Sequence, residues 1–512
     1  MKRRSFLKTA AAVATPFVGR LARAAAGNFD PDFGTAQEAL RALRGGAISS
    51  RELTAHVFQR IRKFNPKINA FVTLLEEQAQ ERARQADEGL AAGRDRGPLA
   101  GLPILIKDAF PTAGIRTTCG SKKLENYVPK EDAAAVGRLQ AAGAVLIGKT
   151  NLPEFASDMQ SYNDIAGTTN NPWDTSLTPG GSTGGGAAAL AAGLGFLELG
   201  SDIGGSIRTP SHFCGVYGLK PTLNVVPLDG HIPPPPGVIT DKPYLPVAGP
   251  LARSAQDLLL ELEVIAGPAP GEATAYHWRL PAARGSRLKD YRIGYVLDDA
   301  FCPVGSDVKG VMARAIEALR KADVDLVEGW PDGYKAKDGW DTYYVLLGAA
   351  IGMGLPEDQL KPLREAAGKP WEPFAKAWLE GATLPHARFV ALTEARLKAR
   401  ALWQEYFQTH DAFLLPVNIV PAFPHDQKLS FFERFVSTPE GQRNYGDMLK
   451  WISPATLTGC PAAVAPVGRT SKGLPVGVQI MGPYLEDATP IAIAGRMADV
   501  VGGFEAPPGF SS

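Results

Sequence analysis

Two serines set among glycines carry the strongest chemical signal in this chain. From Thr178 to Thr222 it reads TPGGSTGGGAAALAAGLGFLELGSDIGGSIRTPSHFCGVYGLKPT. Ser182 and Ser206 each sit beside glycines, which let backbone N–H groups approach a substrate closely, as stabilising an oxyanion requires. A flexible linker would be rich in Gly and Ser throughout. Here the segment between the serines is rich in Ala and Leu and reads as a buried helix followed by a short strand.

Gly180-Gly181-Ser182-Thr183-Gly184 fits the G-x-S-x-G pattern of a strand-turn-helix nucleophile elbow. The flank does not suit it. An elbow serine follows a buried apolar strand, whereas Asp174 to Pro179 is polar and ends in proline. A triad built on it needs a later acid and a histidine, and His212, His231, His386, His410 and His425 are only loosely placed. Ser206 has the better setting. It follows the strand around Phe196 to Gly200, and Ile203-Gly204-Gly205 can point successive N–H groups at one spot beside its hydroxyl, with Asp202 and Arg208 flanking. Its activation needs a base. Lys107 ends the apolar strand Pro103 to Lys107, where burial lowers a lysine's pKa enough to make it one; the spacing alone leaves a plain surface lysine equally open.

The elements around these residues alternate. Thr35 to Arg44, Ser50 to Phe64 and Gln78 to Ala92 read as helices, with Ser49 or Ser50 able to cap the second. Ala133 to Ala142 is a helix before the strand Val145 to Lys149, Gly184 to Leu194 is a small-residue helix, and Leu197 to Gly200 is the strand leading to Ser206. Leu414 to Val417, Ala462 to Val467 and Pro475 to Met481 are further strands before a closing helix, Ala488 to Val501. Strand, helix and strand in alternation predict an α/β chain with a mainly parallel sheet covered by helices. Pro233 to Pro236 marks a rigid loop. Residues 269–400 are less regular; Trp330, Trp340, Tyr343, Tyr344, Trp371, Phe374 and Trp378 could wall a pocket there or simply fill a satellite core.

Composition excludes several classes. With 54 basic and 53 acidic side chains among 512 residues, there is neither a basic stripe for nucleic acid nor a polybasic membrane patch. Cys119, Cys214, Cys302 and Cys460 are scattered without zinc spacing, so no metal site and no cofactor are expected. Lys2 to Lys8, with paired arginines, then a modest apolar run and Ala22-Arg23-Ala24, resembles a bacterial twin-arginine export signal. That predicts residues 1–26 as a leader, a periplasmic mature chain and a compartment that permits disulfides. The apolar run is too short and interrupted to span a bilayer, so no stable membrane insertion is expected.

At this point the chain resembles the amidase signature family. The carrying blocks are Gly180 to Ser182, Gly200 to Arg208 and Phe213 to Thr222, with Pro103 to Asp108, Gly148 to Phe155, Gly459 to Ala462 and Gly473 to Gln479 on the flanks. The resemblance spans about residues 30 to 500 and implies one amidase domain over residues 27–512, built on a large mixed, mostly parallel sheet with helices on both faces. It implies Ser206 as the acylated nucleophile, Ser182 as a bridging serine with a cis peptide bond, and Lys107 as the base relayed through it. Backbone N–H groups of Ile203, Gly204, Gly205 and Ser206 would hold the oxyanion. Many members carry a serine where this chain has Thr183, which puts the auxiliary hydrogen bonds there in question. The expected partner is a small-molecule amide, and a homodimer is compatible with the reading. The rivals are an esterase with the same triad, a glutamine-dependent amidotransferase subunit, and a non-catalytic amide-binding protein.

Overall fold

The structure, a computed structural model, describes residues 29–93, 97–238, 243–352, 355, 357–369 and 373–511. The expected leader at 1–26 and Trp371 lie outside the described residues. The chain enters through two helices, Ala36–Arg44 and Ser50–Ile68. Thr35 and Ser49 close capping boxes on Glu38 and Glu52, which satisfies N–H groups that a helix start leaves open.

The described residues form fifteen strands: β1 (Phe71–Leu74), β2 (Pro103–Lys107), β3 (Val145–Thr150), β4 (Tyr162–Asn163), β5 (Gly167–Thr168), β6 (Leu197–Asp202), β7 (Tyr217–Lys220), β8 (Val247–Ala252), β9 (Arg292–Tyr295), β10 (Asp325–Glu328), β11 (Ala412–Pro416), β12 (Phe435–Thr438), β13 (Gly441–Asn444), β14 (Ala462–Arg469) and β15 (Pro475–Met481). Eleven of them make one sheet, ordered β1-β3-β2-β6-β8-β7-β14-β15-β11-β9-β10. The sheet is large and mixed. Parallel pairing is confined to its flanks, in β3-β2-β6 and β11-β9-β10, and the centre is antiparallel. The alternation of strand and helix therefore describes the flanks only. Both faces are covered: a Cβ at Gly218 would lie 2.2 Å from Ser211 Oγ of the helix Arg208–Cys214, while its neighbour Tyr217 points the other way, toward Gly503.

Residues 269–400 hold more regular structure than their sequence suggests. They contribute β9 and β10 to the sheet and the helices Ser306–Lys321, Ala336–Gly352, Glu357–Ala367 and Pro373–Ala382, with most of His386–Tyr406. Two glycines form the seam between two of these helices. A Cβ at Gly348 would lie 2.6 Å from the Trp378 carbonyl, and one at Gly381 2.2 Å from that of Val345. Most of the aromatic set is core: Trp340, Tyr343, Tyr344 and Phe374 are buried, with Tyr344 4.5 Å from Phe374 between ring centres.

Candidate active site

Side chains alternate along a strand, so Leu105 and Lys107 of β2 share one face. Leu105 closes against Gly195, where a Cβ would come within 2.7 Å of it. Lys107 is thereby carried, fully buried, beneath the glycine-rich loop. Its Nζ lies 2.6 Å from Ser182 Oγ and 3.1 Å from Ser201 Oγ. Burial pushes its pKa down to about 8, against the weaker pull of Cys119, Glu198 and Asp202. Burial likewise pushes the Glu198 carboxyl up to about 8, so at neutral pH this neighbour offers Lys107 little counter-charge. An amine held this way is close to losing its proton under ordinary conditions.

Ser182 is 1% exposed and follows a cis Gly181–Ser182 peptide bond. The loop is clamped from outside by Ser161, whose hydroxyl donates to the Gly180 carbonyl at 2.9 Å and accepts from the Gly184 N–H at 3.0 Å. The helix behind it, Gly184–Ala191, is entirely buried. Three helical glycines are costly, about 1 kcal/mol each relative to alanine. Close packing requires them: Cβ atoms at Gly184, Gly185 and Gly186 would lie 2.4 Å from Ser161 Oγ, 2.4 Å from the Asn151 N and 2.3 Å from Glu198 Oε1.

Ser206 sits on a turn folded around Asp202. That carboxylate accepts the N–H groups of Gly205 at 3.0 Å and Ile207 at 3.1 Å, and a two-pronged contact from the Arg208 Nη2 at 2.8 Å and Nε at 3.1 Å. Burial works to raise the Asp202 pKa, and Arg208 with these donors outweighs it and holds the group below its ordinary value. Arg208 is in turn fixed by the Ile452 carbonyl at 2.7 Å and Thr456 Oγ1 at 2.7 Å. Asp202 and Arg208 thus shape the turn from inside it. One expectation is corrected here: the Gly205 N–H is committed to Asp202 and is not free for an oxyanion. The N–H groups of Ile203, Gly204 and Ser206 make no hydrogen bond among the described residues. The Ser206 hydroxyl is also unbonded there and 8% exposed, and the Thr183 N–H donates to the Ser206 carbonyl at 3.1 Å.

Thr183 keeps a hydroxyl contact, 3.4 Å to the Ser201 carbonyl, while its methyl fills the space over Gly200. Several neighbours escape sequence reasoning. Ser201, the second partner of Lys107, looks like one more strand residue, and Tyr343, expected only to wall a pocket or fill a core, donates its hydroxyl to the Ile203 carbonyl at 2.9 Å from 140 residues away. Leu449 and Ile452 close on Gly204 and Gly205. No periodicity announces such contacts. Among the histidines, His212 is core: the Gly477 N–H donates to its Nδ1 and its Nε2 faces the Val420 carbonyl at 3.1 Å. Burial pushes its pKa down to about 4. The four cysteines are all buried and unpaired. Among the described residues no helix is long and apolar enough to cross a membrane.

Comparison with known proteins places this geometry. The family model described as Amidase matches residues 52–490. A glutamyl-tRNA(Gln) amidotransferase subunit of Prochlorococcus marinus (strain MIT 9313) is 36% identical over 482 residues, covering 88% of this chain and 94% of that protein. The corresponding subunit of Thermotoga maritima superposes with a TM-score of 0.72 at 27% identity, covering 94% and 98%. A 6-aminohexanoate cyclic dimer hydrolase superposes with a TM-score of 0.75 at 25% identity, covering 94% and 99%. With a buried lysine joined to one loop serine, a second serine on an arginine-braced turn, and a match over most of its length, this chain belongs to the amidase family.

Proposed function

We propose that this chain hydrolyses a carboxylic or aryl amide through an acyl-enzyme on Ser206. The observation that carries the reading is the 2.6 Å contact between Lys107 Nζ and Ser182 Oγ. Neutral Lys107 takes the Ser182 proton as Ser182 takes that of Ser206, and Ser206 Oγ attacks the carbonyl carbon. The N–H groups of Ile203, Gly204 and Ser206 receive the oxyanion. Lys107, now an ammonium, returns the proton through Ser182 to the leaving nitrogen, the C–N bond breaks, and water releases the acid by the same relay. Mapping a serine-reactive fluorophosphonate by mass spectrometry tests the assignment: label on Ser206 supports it, and label on Ser182 with Ser206 untouched overturns it. A panel of primary, anilide and peptide amides, with a matched ester, then fixes the class and separates amidase from esterase.

A second reading, a glutamine-dependent amidotransferase subunit, is favoured by the relative at 36% identity. It predicts glutamine hydrolysis, stimulated by partner subunits, in place of anilide or primary-amide turnover. Export is a further part of the proposal, resting on Lys2 to Lys8 and Ala22-Arg23-Ala24. Recovery of a shortened chain in the periplasmic fraction, lost when Arg3 and Arg4 are both changed to lysine, supports it; a full-length chain left inside the cell counts against it.

A further inference from the structure

The proline-rich loop is not an idle cover. Its Ile232 N–H donates to the Ala109 carbonyl at 2.8 Å, just beyond β2, and His231 meets Phe110 edge-on at 4.9 Å between ring centres. This brings His231 Nε2 within 3.0 Å of Ser201 Oγ, the same oxygen that lies 3.1 Å from Lys107 Nζ. The other ring nitrogen, Nδ1, faces the Pro233 carbonyl at 3.1 Å. A carbonyl can only accept, so Nδ1 carries the proton, and in a neutral ring Nε2 is then an acceptor. Half-burial in the loop and the nearby Lys107 lower the His231 pKa, which favours the neutral ring. The direction of every bond follows: Ser201 donates its single proton to His231 and can only accept from Lys107.

We propose that His231 is a positioning residue for the base, acting through Ser201. A neutral lysine has one lone pair. If Ser201 were free to rotate, its hydroxyl could donate to that lone pair and compete with Ser182. With the Ser201 proton held by His231, an N–H of Lys107 points at Ser201 and the lone pair is left for Ser182. This inference rests on the reading of Lys107 as the base for Ser206. The test measures the rate of fluorophosphonate labelling at Ser206 and, on 4-nitroacetanilide, kcat and KM. His231→Gln places an amide oxygen near the Nε2 position, whereas His231→Asn is too short to reach Ser201. We expect His231→Asn to slow labelling and lower kcat by about tenfold, the effect of one lost hydrogen bond, with KM unchanged, and His231→Gln to recover most of the rate. In a Ser201→Ala background His231→Asn should add nothing, because the path it acts through is gone. Equal rates for Asn, Gln and the parent overturn the proposal, as does an Asn effect that multiplies with Ser201→Ala. If the unaltered protein is not labelled at Ser206, the reading beneath it fails instead, and this inference with it.

Discussion

Strands β2 and β3 run side by side and each carries a buried lysine, Lys107 at the last position of β2 and Lys149 one before the end of β3, in different surroundings. Lys107 meets only hydroxyls, those of Ser182 and Ser201. Lys149 meets the Phe110 carbonyl at 2.6 Å, Thr117 Oγ1 at 2.9 Å and the Asp108 carboxylate at 3.5 Å, with neither member of that ion pair exposed. Burial lowers both pKa values, and at Lys149 the largest opposing influence is Asp108. A buried lysine with a carboxylate is a brace; one facing hydroxyls is available for proton transfer. Two equally buried lysines on opposite faces of the sheet are thus distinguished by their polar neighbours, hydroxyls alone at Lys107 and a carboxylate, a carbonyl and a hydroxyl at Lys149.

Breaking the contrast directly gives the largest effect. Lys107→Met should lower kcat/KM by about 10²- to 10⁴-fold, the usual worth of a general base, while thermal melting moves little, since no buried carboxylate is left without its ammonium. Lys149→Met should do the reverse, costing about 3–5 kcal/mol in denaturant unfolding because Asp108 loses its partner. Comparable losses of stability in the two variants would erase the distinction. Next comes the packing on the Lys107 face of the sheet: Gly186→Ala drives a methyl into Glu198, and should cost about 1–3 kcal/mol in denaturant unfolding. The pH profile sharpens the comparison further. Lys107 must lose its proton to act, so kcat/KM should rise about tenfold per pH unit below its pKa of about 8 and level off above it. A profile flat from pH 6 to 9 would place the base elsewhere. Thr183→Ser keeps the hydroxyl and removes one methyl over Gly200, so its effect on unfolding should stay near about 0.8 kcal/mol, with kcat little changed.

Much of the frame was legible because it obeys local rules. The strand Pro103–Lys107, the strand Pro475–Met481 and the helix Ala488–Val501 have the limits their patterns predict, and Ser49 is the cap of the second helix. The antiparallel centre was not legible. β7 and β8 are short and apolar, flanked by glycine and proline, and their partners lie far away in sequence, so no local period marks them. The helices of residues 336–382 were hidden for a related reason, since glycines at a helix–helix seam look like breakers until the second helix is in place.

By itself the sequence determined which side chains could do chemistry and where the backbone could come close: Ser182, Ser206, Lys107 and the glycines beside them. Those are consequences of residue type and local conformation. Only the tertiary structure decided how these groups are buried and bonded. Whether Lys107 is buried, whether Asp202 claims the Gly205 N–H, and whether His231 reaches Ser201 all depend on strands and loops separated by tens to hundreds of residues. The physical reason is that pKa values and hydrogen-bond directions are set by desolvation and by the nearest polar atom, and both are fixed only when the sheet closes around them.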